Sequence, residues 1–159
     1  MARKIQLAVD IGRRAVRVAK IRPGRRTTLA ATLFETIPPG VDAEDPVAVG
    51  SMLAKSMARA GIEPGPAVFA LDRSITSLKR LTLPTDDPDE LPDMVRLAVE
   101  RELPIDAQDA VIDFSIMERS AEGYVVETVA VPRREIERIE RIAEAAGMRV
   151  ARVAPRCHG

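Results

Sequence analysis

The groups best suited to chemistry sit close together near the N-terminus, in Leu7-Ala8-Val9-Asp10-Ile11-Gly12 followed by Arg13-Arg14-Ala15-Val16-Arg17. A carboxylate at the end of a strand, as Asp10 would be, can hold a divalent cation or orient its water. Gly12 beside it lets the amides of a turn come close to a phosphate. Arg13 and Arg17 add positive charge to the same short segment. Asp72 closes a later apolar run and is the second carboxylate placed to work with Asp10. Two carboxylates fall short of a two-metal site, in which several converge on ions about 3.5–4 Å apart. The late strand that would supply a third ends instead in Ala154-Pro155-Arg156. Beside Ser74, Asp72 also serves as a turn former. Cys157 and His158 adjoin each other, but one pair on a terminal tail builds neither a metal site nor a nucleophile. Asp86, Asp87, Asp89, Glu90 and Asp93 crowd a predicted helix start, where they suit the positive end of the helix dipole.

Placing these residues requires a strand–turn–strand framework. Alternation of Ile5, Leu7 and Val9 predicts a strand over 4–10, and Val16 and Val18 predict another over 15–21. Arg22-Pro23-Gly24-Arg25 is a turn signal, and a third strand is expected over 27–37. Asp45-Pro46 opens a helix whose inward positions are Val49, Leu53, Met57 and Ala60, and Gly61 stops it. A short strand over 67–71 follows. Strand, strand, strand, helix, strand is the opening of a ribonuclease-H-like or actin-like α/β domain, with the last strand parallel to the first.

A second unit then interrupts the rhythm. The pattern predicts a strand over 75–83, a helix capped by Asp89 that runs to about Leu103 with Leu91, Val95 and Ala98 inward, and strands over 110–118 and 124–131. Afterwards a helix opening at Pro132 and running to Ala146, with Ile136, Ile139, Ile142 and Ala143 on one face, leads to a strand over 149–153. The helix is too short for a coiled coil and reads as a cover for the sheet.

Composition narrows the function classes. The 159 residues are 46% hydrophobic and 30% charged, which suits a soluble globular chain. No apolar run reaches the roughly 18 residues of a membrane span, and Asp10 ends the first one too early for a signal peptide, so a cytoplasmic chain is expected. A single cysteine excludes an internal disulfide. Aromatics are 3% with no tryptophan, a poor supply for stacking nucleic-acid bases. The net charge is zero, yet residues 1–30 carry nine Lys/Arg against Asp10 alone. Neutrality overall disfavours a general polyanion binder, and the basic stretch reads as solvated hairpin edges guarded against aggregation.

The order and spacing of several blocks resemble a known family. They are Val9-Asp10-Ile11-Gly12, Ile37-Pro38-Pro39-Gly40, Val68-Phe69-Ala70-Leu71, Leu81-Thr82-Leu83-Pro84 and Glu102-Leu103-Pro104-Ile105, then Val111-Ile112-Asp113-Phe114, Val129-Ala130-Val131-Pro132 and Ala145-Ala146-Gly147-Met148. From Ile5 to Val153 the chain resembles the N-terminal half of PilM-type type IV pilus assembly proteins, actin-like relatives of the cell-division protein FtsA. The resemblance implies an actin-like subdomain over 1–72 and 132–159 with an inserted subdomain over 73–131. It implies a cytoplasmic scaffold that binds ATP with magnesium between two lobes and captures the tail of a PilN-type inner-membrane protein near the insert. Asp10, Gly12, Arg13 and Arg17 fall where the family meets nucleotide, and Arg80, Leu81 and Leu83 where it meets the tail. Where the family's phosphate loop carries small hydroxyl residues and then a lysine, this chain has Arg13, Arg14, Ala15 and Arg17. A guanidinium fork is not equivalent to an ammonium. The second lobe would begin where the sequence stops. The expectation is therefore a non-enzymatic scaffold with an incomplete ATP site, serving a pilus or the related type II secretion system, whose GspL-type proteins share the architecture. The alternative is a metal-dependent nuclease similar to Holliday-junction-resolvase-like proteins.

Overall fold

The structure is a computed structural model that describes residues 7–22, 24–102 and 108–156. Expectations resting on Ile5, Pro23, Leu103, Pro104, Ile105, Cys157 and His158 lie outside the described residues. The chain divides into two compact units, Met1–Asp72 with Glu137–Gly159, and Arg73–Ile136.

The first unit holds a five-stranded sheet. Its strands are β1 (Leu7–Ile11), β2 (Ala15–Arg22), β3 (Thr28–Thr36), β4 (Pro66–Leu71) and β8 (Arg149–Pro155), in the order β3-β2-β1-β4-β8. β1, β2 and β3 form an antiparallel meander, and β4 runs parallel to both β1 and β8. Period-two alternation decides the faces. Leu7 and Val9 of β1, Val16 and Val18 of β2, and Ala67, Phe69 and Leu71 of β4 are buried, while their neighbours Ala8, Asp10, Arg17, Val68 and Ala70 turn the other way.

Helix α1 (Pro46–Arg59) begins where Asp45 accepts a hydrogen bond from the Val47 amide, with Pro46 at the first helical position. It buries Val49, Leu53 and Met57, whereas Ala60 is its exposed C-cap. Gly61 follows with φ of 67°, a left-handed conformation that glycine adopts without strain. Helix α3 (Arg133–Ala145) buries Ile139, Ile142 and Ala143. It crosses α1 at Gly50, where a Cβ would stand 2.5 Å from the Ile142 carbonyl oxygen and 2.6 Å from the Ala145 Cβ. Pro132 does not open α3 as expected but ends the preceding strand, opposite Ala110. The basic residues also fall elsewhere than expected. Arg17, Lys20 and Arg22 lie on β2, an interior strand, while the outer strand β3 carries no Lys or Arg.

The second unit is a three-stranded antiparallel sheet, β5 (Ser77–Leu83), β6 (Ala110–Ser120) and β7 (Gly123–Pro132), in the order β5-β7-β6. Helix α2 (Leu91–Glu102) packs Leu91, Val95 and Val99 against Leu81, Leu83, Tyr124, Val126 and Ala130. Ile75, expected in the first strand, belongs to a 3-10 turn at Arg73–Ile75. Asp89 was expected to cap α2. Asp87 does the capping, accepting from the Asp89 amide over a 3-10 turn at Pro88–Glu90 that leads into the helix. Asp87-Pro88 repeats the Asp45-Pro46 arrangement, a polar acceptor followed by a residue with no amide to satisfy. The β6–β7 hairpin is tighter than a five-residue loop, since Ser120 pairs with Gly123. Gly123 has φ of 119° and lies so close to the Leu83 carbonyl that no side chain fits.

Candidate functional site

Asp10 is the fourth residue of β1 and pairs across the hairpin with Arg17 and in parallel with Ala70. Cross-strand partners share a face, so the Arg17 guanidinium reaches the Asp10 carboxylate, Nη1 to Oδ2, at 3.1 Å. The same guanidinium lies over the Phe34 ring of β3, 5.4 Å from its centroid, the range of a cation–π contact. Phe34 faces Arg17 because the two are paired in register. The other oxygen of Asp10 accepts from Arg156 Nη2, and Arg156 Nη1 reaches Asp72 Oδ2 at 3.3 Å. One guanidinium thus ties together the carboxylate of Asp10, within β1, and that of Asp72, just after β4. It is anchored from behind, because the Arg156 amide donates to the Leu71 carbonyl at 2.8 Å.

Asp10 therefore lies between two arginines. Charge-assisted pairs of this kind are roughly twice as strong as neutral hydrogen bonds. The carboxylate is only 21% exposed, which limits screening by water. The turn after it is also engaged. The Gly12 amide donates to the Ala15 carbonyl at 2.9 Å, and a Cβ on Gly12 would stand 3.1 Å from that oxygen. A side chain at residue 12 would thus crowd a close turn. Arg13 and Arg14 project from that turn and are exposed.

Beside the network lies an open apolar cavity of about 400 Å³, lined by Ala8, Asp10, Arg17, Ala19, Thr32, Phe34, Val68 and Ala70 among others. Among the described residues, no three His, Cys, Asp or Glu side chains converge as a metal site would need. Where a third carboxylate would stand beside Asp10 and Asp72, the chain places the cation Arg156.

The residues expected to meet a partner separate by face. Leu81 and Leu83 are 8% and 5% exposed and fill the core under α2. Arg80 is exposed on the opposite face of β5, paired with Glu127 of β7. Reading the sequence missed the parts of Arg156 and Phe34. For Phe34 the signal was available, since hairpin register aligns it with Arg17. For Arg156 it was not, because 146 residues separate it from Asp10.

This is the actin-like α/β fold, a parallel core extended by an antiparallel meander. No protein-family model matches the sequence, and no curated protein is significantly similar to it. Solved structures do match. A PilM–PilN type IV pilus biogenesis complex superposes with a TM-score of 0.81 at 22% identity, over 94% of this chain and 46% of that one. The cytoplasmic domain of EpsL, an inner-membrane component of the type II secretion system of Vibrio cholerae, gives 0.64 at 18% identity, over 94% of this chain and 56% of the other. The chain spans about half the length of these structures. At such identities the likeness establishes the fold. No helix among the described residues is long and apolar enough to cross a membrane.

Proposed function

We propose that this chain is a non-enzymatic scaffold of type IV pilus assembly, or of the related type II secretion machinery, that works in the cytoplasm and holds the tail of a PilN-type inner-membrane protein. The fold likeness to the PilM–PilN complex supports the system. The observation that carries the non-enzymatic part is the double engagement of Asp10 by Arg17 and Arg156. A magnesium–nucleotide site needs a carboxylate free to meet the ion or its water and turn amides free to meet phosphate. Here the carboxylate meets two cations and the Gly12 amide meets Ala15. The residues at hand do not fit Mg-ATP, and Asp10, Gly12, Arg13 and Arg17 act as structural parts of the hairpin.

The second unit, Arg73–Ile136, serves as the inserted subdomain that receives the tail. With Leu81 and Leu83 in its core, Arg80 is the member of that trio presented to a ligand. The nuclease alternative has less support, because Asp10 and Asp72 converge on a guanidinium where metal ions would need a third carboxylate.

Isothermal titration with Mg-ATP should give no saturable binding, and the chain should not hydrolyse ATP. Micromolar binding with turnover would overturn the scaffold reading. Fluorescence anisotropy with a labelled cytoplasmic tail of the PilN-type protein should show saturable binding that Arg80→Glu weakens. A folded chain that ignores the tail would refute the partner assignment.

A further inference from the structure

The outer edge of β3 differs from what soluble sheets usually present. Natural edge strands are blunted by lysines, prolines or covering loops, since their free amides and carbonyls template pairing with another chain. Thr28–Thr36 contains no Lys, Arg or Pro, and its only charge is Glu35, which is turned to Arg59 of α1. Leu29 and Phe34 are 64% and 62% exposed. The one irregularity in the β2–β3 pairing lies between Lys20 and Ile21, opposite the N-terminal part of β3, and leaves 31–36 regular.

The free groups can be assigned from one bond. The Ile37 amide donates to Arg14 across the β2–β3 ladder at 2.9 Å. Residues of an antiparallel strand alternate in the side to which both backbone groups point. Leu33 and Glu35 therefore bond towards β2, and Thr32, Phe34 and Thr36 turn their amides and carbonyls outward.

The charge around this edge is polarised along the strand. Arg22, Arg25 and Arg26 are exposed where the chain enters β3. Asp42, Glu44 and Asp45 are exposed in the segment after it. An antiparallel partner with the same polarity brings each basic end to the other's acidic end, whereas a parallel one sets like against like. The partner that meets this pattern on both ends is a second copy of this chain. We propose that two copies associate through β3, antiparallel about a two-fold axis near Leu33, which continues the sheet from one copy into the other. Thr32 of one copy then bonds opposite Phe34 of the other, and the two Leu33 side chains meet at the axis. The interface is isologous and closes at two.

Analytical ultracentrifugation of the 159-residue chain tests this. The expected result is a reversible dimer that weakens as salt rises. Thr32→Pro removes only an outward amide and should raise the dissociation constant about tenfold or more. Circular dichroism checks that variant's fold, and Thr32→Lys, which places a charge at the same edge, carries the test if the proline variant melts. Leu97→Lys, at an exposed position of the second unit, should leave the dimer intact. Arg25→Glu with Arg26→Glu should weaken self-association, as should Asp42→Lys with Glu44→Lys, and mixing the two variants should restore a dimer. A monomer at every concentration would overturn the proposal. So would a dimer lost through Leu97→Lys but kept by both Thr32 variants, or a pair of charge variants that fails to recombine.

Discussion

Gly50→Ala adds one carbon where two helices touch. A Cβ at residue 50 meets the Ile142 carbonyl oxygen at 2.5 Å, the Ala145 Cβ at 2.6 Å and the Ala146 amide nitrogen at 3.3 Å. None of these is the far end of a flexible side chain, so α1 and α3 must separate by about 1 Å to restore ordinary contact. That movement loosens the packing of Val49, Leu53 and Ile142, all fully buried. Overpacking of a core costs about 1–3 kcal/mol, and contacts this short call for the upper end. Alanine in a helix interior regains about 1 kcal/mol over glycine. The expected net loss is about 2 kcal/mol, read as a lower midpoint in urea denaturation followed by helical circular dichroism. Gly40→Ala is the matched control, since a Cβ there meets nothing within 4 Å. It should be neutral or stabilise by about 0.4–1 kcal/mol through the unfolded chain. A Gly50→Ala protein as stable as the wild type would refute the close crossing of α1 and α3.

Other outcomes follow from the same kind of contact. Gly123→Ala combines a φ of 119° with a clash against the Leu83 carbonyl, and should cost about 3 kcal/mol in thermal or urea unfolding of the second unit. Leu81→Ala empties part of the core under α2 and should cost about 2–5 kcal/mol, measured the same way; a neutral result would free Leu81 for a surface role. A double-mutant cycle of Asp10→Asn and Arg156→Ala should give a coupling of about 1–2 kcal/mol, and a coupling near zero would remove the ion pair as a structural element.

What the sequence revealed and what it hid divide along a physical line. Local signals served well. Alternation of Leu7 and Val9, the Asp45-Pro46 cap and the Gly61 stop each fix a conformation within a few residues, and their elements stand where expected. Errors arose where two residues competed for one local role. Asp87 and Asp89 both suit a cap, and only the proline after Asp87 decides between them. Pro132 suits a helix start by its fixed φ, yet it also closes a strand at a position needing no ladder amide. The site itself was half legible. Asp10, Gly12 and Arg17 share a hairpin, so their proximity follows from spacing alone. Arg156 joins them only because β8 lies parallel to β4 in one register, with an irregularity between Ala67 and Val68 that no pattern of residues announces. Edge character was equally hidden, since which strand lies outermost depends on the order of the whole sheet.

That same strand order has a consequence during synthesis. β4 receives its neighbour β8 only after the whole second unit has left the ribosome, roughly 80 residues later. At about 5–20 residues per second the interval is roughly 4–16 s. Throughout it, β4 exposes one flank, and α1 lacks the helix that crosses it at Gly50. The second unit is continuous in sequence and can form without waiting. The second unit can therefore be complete before the first, and Arg156, made after both β1 and β4, fastens the carboxylate of the earlier of those two strands.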